Sequence, residues 1–198
     1  MERKERVLVC ERSRLEDIIG GQRGLLRGRE SEAIEIILGN REFMPRSEAE
    51  ENPAYKQIIP YAAVLRGGEV YGLRRLEQSG EARLHGRLSL GVGGHITARD
   101  GNTEHIITRG LMRELNEEIG LESYFKLRLC GLINDDTNEV GQVHLGLFYT
   151  LETRTDIEVR ETDKLEGEWL ALAGLTDRLE HMETWSQLIT PALMGIGG

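Results

Sequence analysis

The sequence has few cysteines, few aromatic residues and no long apolar run. Two cysteines, Cys10 and Cys130, are too few for a disulfide framework and too widely spaced for a zinc motif. We therefore expect two buried free thiols and a cytoplasmic protein, because the cytoplasm keeps thiols reduced. No apolar stretch approaches the roughly 18 residues of a membrane-spanning helix, which excludes a transmembrane protein of that kind. The basic start lacks an apolar core and a cleavage site, so no signal peptide is expected.

An excess of positive charge is also missing. The net charge of −9 and the pI near 5.2 argue against a general nucleic-acid surface or an anionic-membrane surface. With 198 residues, of which 39% are hydrophobic, the chain is long enough to bury a sizeable core. These features indicate an ordinary globular protein, although a local basic cleft stays possible.

One segment concentrates the chemistry of the chain. The stretch GVGGHITARDGNTEHIITRGLMRELNEEIGL runs from Gly91 to Leu121. It begins with a glycine turn that closes a hydrophobic strand, and its second half predicts a helix from Thr103 to Ile119 that Gly120 ends. Apolar side chains recur every fourth residue of that helix and predict a buried stripe, formed by Ile107, Leu111, Leu115 and Ile119.

Three carboxylates lie beside that stripe. Glu114, Glu117 and Glu118 fall on one helical face, where they repel one another unless a positive charge lies among them. Carboxylate oxygens are the ligands that magnesium and manganese prefer, so the pattern indicates a divalent-metal site. A solvated acidic surface is the alternative, since glutamate-rich surface helices are common.

The order of glycine turn, loop and carboxylate helix resembles the Nudix box. The string RELNEEIGL, from Arg113 to Leu121, satisfies every position of the second half of that motif. By motif and strand pattern, the resemblance covers roughly Gln57 to Leu172. It implies a mixed sheet between helices and a hydrolase that acts on pyrophosphate linkages.

The first half of the box departs from the family pattern. His105 stands where the family has glutamate, with Glu104 one position earlier. Gly94 precedes Arg113 by 19 residues instead of 14, so the loop is longer by five. Because the family glutamate pairs with the arginine, either Glu104 takes that role through a shifted loop or the role is unfilled.

The resemblance implies roles for the residues that match. Glu114, Glu117 and Glu118 are expected to hold Mg²⁺ or Mn²⁺, with Arg113 as a positioning residue. The Gly93–Gly94 backbone is expected beside the phosphates. The expected substrate is a nucleoside diphosphate linked to another group, with no membrane partner and no stable nucleic-acid partner. A homodimer is an expectation from the resemblance alone.

The general base and the phosphate contacts are less specific. Five loop or strand acids are available as the base, each with the alternative of a solvated carboxylate: Asp135, Asp136, Glu139, Glu166 and Glu168. Of these we choose Glu139. Arg83 and Arg87 belong to a basic stretch that could grip phosphates, or could be exposed hairpin charges. His95 could face the site or be structural, whereas His105 and His144 are interpreted as structural.

The element pattern predicts an α+β fold. Residues 1–56 are interpreted as an N-terminal extension packed on the core, and residues 57–198 as the hydrolase-like domain. Within the extension we expect a strand at Arg6–Glu11, a weak helix over 14–26, a strand or helix at 30–38, and a loop over 41–54. The second part predicts a hairpin around Gly67–Gly68, further strands at 88–96, 127–134, 143–152 and 166–172, and a tail helix over 175–190 that ends before Pro191.

Two other functions remain open at this point. A catalytically silent nucleotide-binding or regulatory domain is favoured by the altered first half of the box. A diphosphate isomerase of the same superfamily needs a cysteine and a further glutamate in the cleft, whereas both cysteines here lie in apolar runs.

Overall fold

The computed structural model describes residues 5–76, 86–121, 123–124 and 126–195. The strands are β1 (Arg6–Glu11), β2 (Gly24–Leu26), β3 (Glu42–Pro45), β4 (Tyr55–Arg66), β5 (Glu69–Arg75), β6 (Leu88–Ser89), β7 (Val92–Gly93), β8 (Lys126–Asn134), β9 (His144–Glu152) and β10 (Leu165–Ala171). The helices are α1 (Glu16–Ile19), α2 (Glu30–Gly39), α3 (Arg46–Ala49), α4 (Ile106–Ile119), α5 (Glu139–Gln142) and α6 (Thr184–Met194). Short 3₁₀ segments occupy Arg12–Arg14, Ala98–Asp100 and Leu172–His181.

The strands form one sheet in the order β10-β5-β4-β9-β8-β2. Beside this path, β1 pairs with β3 and β4, β6 pairs with β5, and β7 pairs with β4. The predicted α+β class, a mixed sheet with helices, is confirmed.

The central hairpin follows the prediction closely. β4 and β5 pair antiparallel through Leu65↔Val70 and Arg66↔Glu69. Gly67 and Gly68 join them with φ of 56° and 88°, values that glycine adopts without a steric penalty. The predicted strand at 88–96 is instead two short strands, β6 and β7.

Two segments were predicted wrongly. The expected loop over 41–54 contains β3 and α3, because β3 finds a partner in β1 through pairs such as Leu8↔Phe43. The expected tail helix is a 3₁₀ segment followed by α6, which continues through Pro191. Pro191 lies in the last turn, where its missing N–H removes only one helical hydrogen bond.

The N-terminal residues take regular structure. The segment 30–38, undecided between strand and helix, is α2, and the weak helix over 14–26 shrinks to α1 followed by β2. β1 pairs with β4 through Val9↔Gln57, and β2 pairs with β8 through Leu25↔Ile133. The domain boundary at residue 56 stays a prediction.

The chain divides into two compact units. The first comprises Met1–Tyr61, Gly93–Arg113 and Leu129–Phe148. Val7, Val9 and Ala49 form one buried cluster in it, against which Met44 and Tyr55 pack.

The second unit comprises Ala62–Val92, Glu114–Arg128 and Tyr149–Gly198. There β5 pairs with β10 from Leu165↔Arg75 to Ala171↔Glu69, and with β6 through Leu73↔Ser89. Leu88 and Leu170 pack so tightly on Gly72 that a Cβ atom there would lie under 3.0 Å from both side chains.

Neither Cys10 nor Cys130 forms a disulfide, as predicted; Cys10 is buried as expected, but Cys130 is only half-buried. Across the described ranges, no helix is both long and apolar enough to span a membrane.

Candidate functional site

Helix α4 carries the predicted carboxylates and begins three residues later than predicted, at Ile106. Its predicted apolar stripe is confirmed, since Ile107, Leu111, Leu115 and Ile119 are all at most 3% exposed. Gly120 ends the helix with a φ of 60°, and its N–H donates to the Asn116 carbonyl at 3.2 Å. The buried stripe fixes the rotation of the helix and therefore the direction of the glutamate face.

The three glutamates differ in their surroundings. Glu117 is exposed, whereas Glu114 and Glu118 are half-buried. Burial raises the pKa of Glu118 to about 7, and the negative charges of Glu114, Glu161 and Glu183 add to that rise, while Arg75 opposes it. Sequence reasoning did not identify Glu161 or Glu183 as neighbours of this helix, because neither has a regular spacing from it.

The donor chemistry of this face suits a hard divalent ion. Carboxylate oxygens are the ligands that Mg²⁺ and Mn²⁺ prefer, and the negative charges of Glu114, Glu161 and Glu183 near Glu118 would attract such an ion. The described part of the chain contains no preformed group of three or more His, Cys, Asp or Glu side chains arranged around a common point. The residues fit the ion by chemistry, and their role as ligands stays a proposal.

Arg113 is held by a carboxylate that the sequence analysis did not name. Its Nε donates to Asp100 Oδ1 at 2.8 Å and its Nη2 to Asp100 Oδ2 at 3.2 Å. Nη2 also donates to the His95 carbonyl at 2.9 Å. This planar two-point contact fixes the guanidinium more firmly than a single bond does. Asp100 therefore takes the pairing role that the family box gives to its glutamate.

Asp100 is itself fixed in place. Its Oδ2 accepts from the Thr97 backbone N–H at 2.8 Å, and Thr97 in turn caps the short 3₁₀ segment. A Cβ atom on Gly110 would lie 3.5 Å from Asp100 Oδ2 and 3.1 Å from Ile96 Cγ1. Close packing on this loop explains why α4 has a glycine at position 110. The signal in the sequence was Thr97-x-x-Asp100, a capping-box spacing.

Glu104 does not replace the missing glutamate. Its side chain is exposed and lies 3.5 Å from that of His105, which is exposed as well. Neither alternative left open by the sequence is therefore correct. The carboxylate that pairs with Arg113 belongs to Asp100, 13 residues earlier in the chain.

Gly93 has a structural reason to be glycine. A Cβ atom there would overlap the Pro60 carbonyl oxygen and lie 3.0 Å from Tyr61 Cα. The backbone of β7 therefore approaches that of β4 too closely for a side chain. A phosphate contact of Gly93 or Gly94 is compatible with this packing and remains a prediction.

Two of the candidate bases are occupied in ion pairs. Asp136 accepts from Arg12 Nη2 at 2.6 Å and from Lys56 Nζ at 2.7 Å. Burial alone would raise the pKa of Asp136, but these bonds and one from Asn134 lower it to about 2. The neighbouring Asp135 pairs with Arg23 Nε at 2.9 Å, and its pKa is also lowered. Both carboxylates attach N-terminal residues to the rest of the first unit.

The other predicted residues lie at the surface. Glu139 is an exposed residue in the first turn of α5. Glu166 and Glu168 are exposed on β10, and Glu168 pairs with Arg178 at 3.2 Å. Arg87 is exposed and donates to the Glu180 carbonyl at 2.6 Å. Arg83 lies outside the described residues.

The histidines form a contact that sequence reasoning missed. His95 Nε2 lies 2.8 Å from Gln57 Oε1 and 3.3 Å from His144 Nε2. Burial, aided by the charges of Arg46 and Arg113, lowers the pKa of His95 to about 3. His144 thus has a specific partner beyond the structural role predicted for it.

Comparison with known proteins gave relatives over most of the chain. No family model matches. Protein YmaB of Bacillus subtilis is 39% identical over 158 residues, which cover 76% of this chain and 77% of YmaB. The crystal structure of Tm1382, a presumptive Nudix hydrolase, superposes with a TM-score of 0.85 at 32% identity and covers 97% of this chain and 100% of Tm1382. A Nudix hydrolase from Alicyclobacillus acidocaldarius shares the fold, with a TM-score of 0.55 at 13% identity over 71% of this chain and 91% of its own.

Proposed function

This chain belongs to the Nudix hydrolase superfamily, and on that premise we propose that it is a divalent-metal-dependent hydrolase of a pyrophosphate bond in a nucleoside diphosphate linked to another group. The observation that carries the proposal is helix α4, which presents Glu114, Glu117 and Glu118 beside a buried apolar stripe. This is the arrangement that a helix needs in order to hold a metal-bound phosphate without losing its packing.

Each residue of the box has a role in the proposal. Glu114, Glu117 and Glu118 hold Mg²⁺ or Mn²⁺, which when bound neutralises charge on the phosphate oxygens and acidifies a water molecule. Arg113 orients the segment that leads into this face, since Asp100 fixes its guanidinium at two points. The backbone of Gly93 and Gly94 lies beside the phosphates.

Glu139 is the general base of the proposal. Among the acids considered, Asp135 and Asp136 are committed to Arg23, Arg12 and Lys56, and Glu168 pairs with Arg178. Glu139 is exposed, so water and substrate can reach its carboxylate. Arg87 and Arg83 are proposed phosphate contacts, because a guanidinium carries five N–H donors in a fork that suits phosphate oxygens, and Arg87 is exposed.

The proposal is tested with a substrate panel and one variant. Nucleotide sugars, ADP-ribose, dinucleoside polyphosphates, NADH and deoxynucleoside triphosphates are incubated with Mg²⁺ and then Mn²⁺, and phosphate or nucleotide release is measured. We expect metal-dependent turnover of one class. Glu117→Gln should lower turnover by roughly two orders of magnitude or more, as when a key electrostatic group is removed. Glu104→Gln is the matched control, since Glu104 is an exposed acid outside the helix face.

A silent nucleotide-binding domain is the second candidate. The observation behind it was His105 in the glutamate position of the box, and Asp100 now accounts for the missing partner of Arg113. Tight nucleotide binding without turnover under any divalent ion would favour this candidate, and unchanged turnover in Glu117→Gln would refute the metal role of that residue. A cytoplasmic location and a homodimer remain predictions, checked by fractionation and by sedimentation.

A further inference from the structure

Lys56 lies at the start of β4 in the first compact unit, and its side chain is 0% exposed. Its Nζ donates to Asp136 Oδ1 at 2.7 Å. It also donates to two backbone carbonyls, those of Gly141 at 2.8 Å and His144 at 3.3 Å. Three acceptors match the three N–H groups of an ammonium ion, whereas a neutral amine has only two. The side chain is therefore held as a cation with every hydrogen directed at an oxygen.

All three acceptors of Lys56 belong to one short segment. They lie within residues 136–144, the stretch that joins β8 to β9 and contains α5. Gly141 belongs to α5 and His144 is the first residue of β9. A single cation thus bridges three points on this segment and restricts the path of the backbone between them.

The turn around Glu139 is fixed from other sides as well. Asn138 Oδ1 accepts from the Gly141 N–H at 2.9 Å and so caps α5. A Cβ atom on Gly141 would overlap the Asp135 carbonyl oxygen, so the turn lies directly on that backbone. The Glu139 residue itself is exposed. An exposed carboxylate on a locked turn is the arrangement that a preorganised base requires.

We propose that Lys56 is a positioning residue, which holds the α5 turn so that the Glu139 carboxylate keeps one direction. This inference rests on the proposed function, in which Glu139 is the general base. Lys56 acts through the backbone of the turn, because its Nζ is enclosed by acceptors from residues 136–144.

A positioning role accounts for a charge in an unfavourable place. Taking an ammonium ion out of water costs desolvation free energy, and an apolar side chain of similar length avoids that cost. Burial accordingly lowers the pKa of Lys56, while the hydrogen bond and charge of Asp136 oppose that fall. An apolar side chain could fill the same space, but it could not bind the two carbonyls.

The N-terminal residues extend the same network. Arg12 Nη2 donates to Asp136 Oδ2 at 2.6 Å, while Lys56 binds Oδ1 of the same carboxylate. Asp136 is ionised at neutral pH, since its pKa is about 2. Both cations belong to residues 1–56, a part of the chain without a recognisable motif. The inference gives this part a task, which is to supply the positive charges that hold residues 136–144.

Amide hydrogen exchange tests the structural half of the inference without any substrate. Lys56→Met removes the ammonium group, so the amides of residues 139–144 should exchange faster by roughly tenfold or more. Asp136→Asn is the comparison for lost stability, because it removes a charge but leaves both carbonyls to Lys56. It should not accelerate this segment beyond the rest of the first unit. Lys126→Met, at an exposed lysine paired with Glu152, is the control and should match the wild type.

A double-variant cycle on turnover tests the catalytic half. Lys56→Met should lower kcat by roughly tenfold or more and leave KM within about twofold, since displacing a catalytic group slows the reaction without removing a substrate contact. In the Glu139→Gln background the same substitution should change kcat by less than about twofold, because the group that Lys56 positions is already absent. A purely structural loss would lower kcat by the same factor in both backgrounds.

Two results would overturn the inference and leave the proposed function standing. One is exchange in residues 139–144 that Lys56→Met raises no more than Asp136→Asn does. The other is an equal fall of kcat with and without Glu139. A wild-type kcat in Glu139→Gln would instead refute the proposed base and, with it, the positioning role. Should Lys56→Met fail to fold, ¹⁵N NMR of the unmodified protein decides: slowly exchanging Nζ protons close to Gly141 and His144 support the contact, and fast exchange refutes it.

Discussion

Arg113 and Asp100 form a two-point ion pair across a lengthened loop, with the shorter contact at 2.8 Å from Nε to Oδ1. The Asp100 side chain is only 3% exposed and that of Arg113 26% exposed, so little water competes for either group. The pair explains how this chain keeps the arginine of the box in position although His105 replaces the usual acid. The longer loop supplies the carboxylate from a different place.

Asp100→Asn should therefore destabilise the protein and impair turnover together. The substitution removes the negative charge and one acceptor, leaving Arg113 half-buried with weaker partners, at a cost of about 1–3 kcal/mol. Urea unfolding measures the loss of stability. The turnover of the substrate identified with the panel measures the loss of activity.

Glu104→Gln is the matched control for that substitution. Because Glu104 is exposed, we expect the free energy of unfolding of the Glu104→Gln variant to differ from that of the wild type by no more than about 0.5 kcal/mol. Equal destabilisation by both variants would contradict the assignment of the pairing role to Asp100.

Gly93→Ala should destabilise the protein before any ligand is bound. The added methyl group would overlap the Pro60 carbonyl, and two backbones must separate to admit it, which costs about 2 kcal/mol or more. Gly39→Ala, where nothing lies within 4 Å of the added atom, should be neutral or slightly stabilising. Thermal unfolding of the two metal-free variants makes the comparison, and equal melting temperatures would show that the β7 backbone has room.

Local signals were sufficient for the central part of the fold. The glycine pair between β4 and β5 and the four-residue apolar period of α4 each depend on neighbours in the sequence, and both predictions are confirmed. β3 could not be predicted in this way, because Glu42–Pro45 is only four residues long, ends in a proline and becomes a strand by pairing with β1. Tertiary pairing overrides weak local preference at such positions.

The same distinction applies to the candidate site. The glutamate face follows from helical spacing, and the helix that carries it is confirmed. Asp100, His144 and Gln57 come from separate segments and meet their partners only in the folded chain. Spacing along the sequence carries little information about contacts between separate segments. The exception is the capping-box pattern that ends at Asp100.

The Asp136 ion pair should make stability depend on pH in the acid range. Its folded pKa of about 2 lies below the ordinary 3.8, so the pair stabilises the protein fully above pH 4. That stability, about 2 kcal/mol, is lost as the pH falls from about 4 to 2. The Asp136→Asn variant should already lack this stabilisation at pH 7, and its free energy of unfolding should depend less on pH between 4 and 2 than that of the wild type. Urea unfolding at each pH measures both. An unchanged slope between pH 4 and 2 would show that Asp136 contributes no linkage.

Glu139→Gln should separate catalysis from metal binding. If Glu139 is the general base, the substitution removes the group that accepts the proton of water and lowers kcat by roughly a hundredfold or more. Mn²⁺ affinity, measured by electron paramagnetic resonance, should stay at the wild-type value, since Glu139 is not among the proposed ligands. Glu117→Gln should weaken Mn²⁺ binding and turnover together. Glu168→Gln, at an acid paired with Arg178, serves as the control and should leave kcat within about twofold, the change expected of an exposed pair. A wild-type kcat in Glu139→Gln would transfer the role of base to another acid, and Glu161 and Glu183 would be the next to substitute because their charges already act on Glu118.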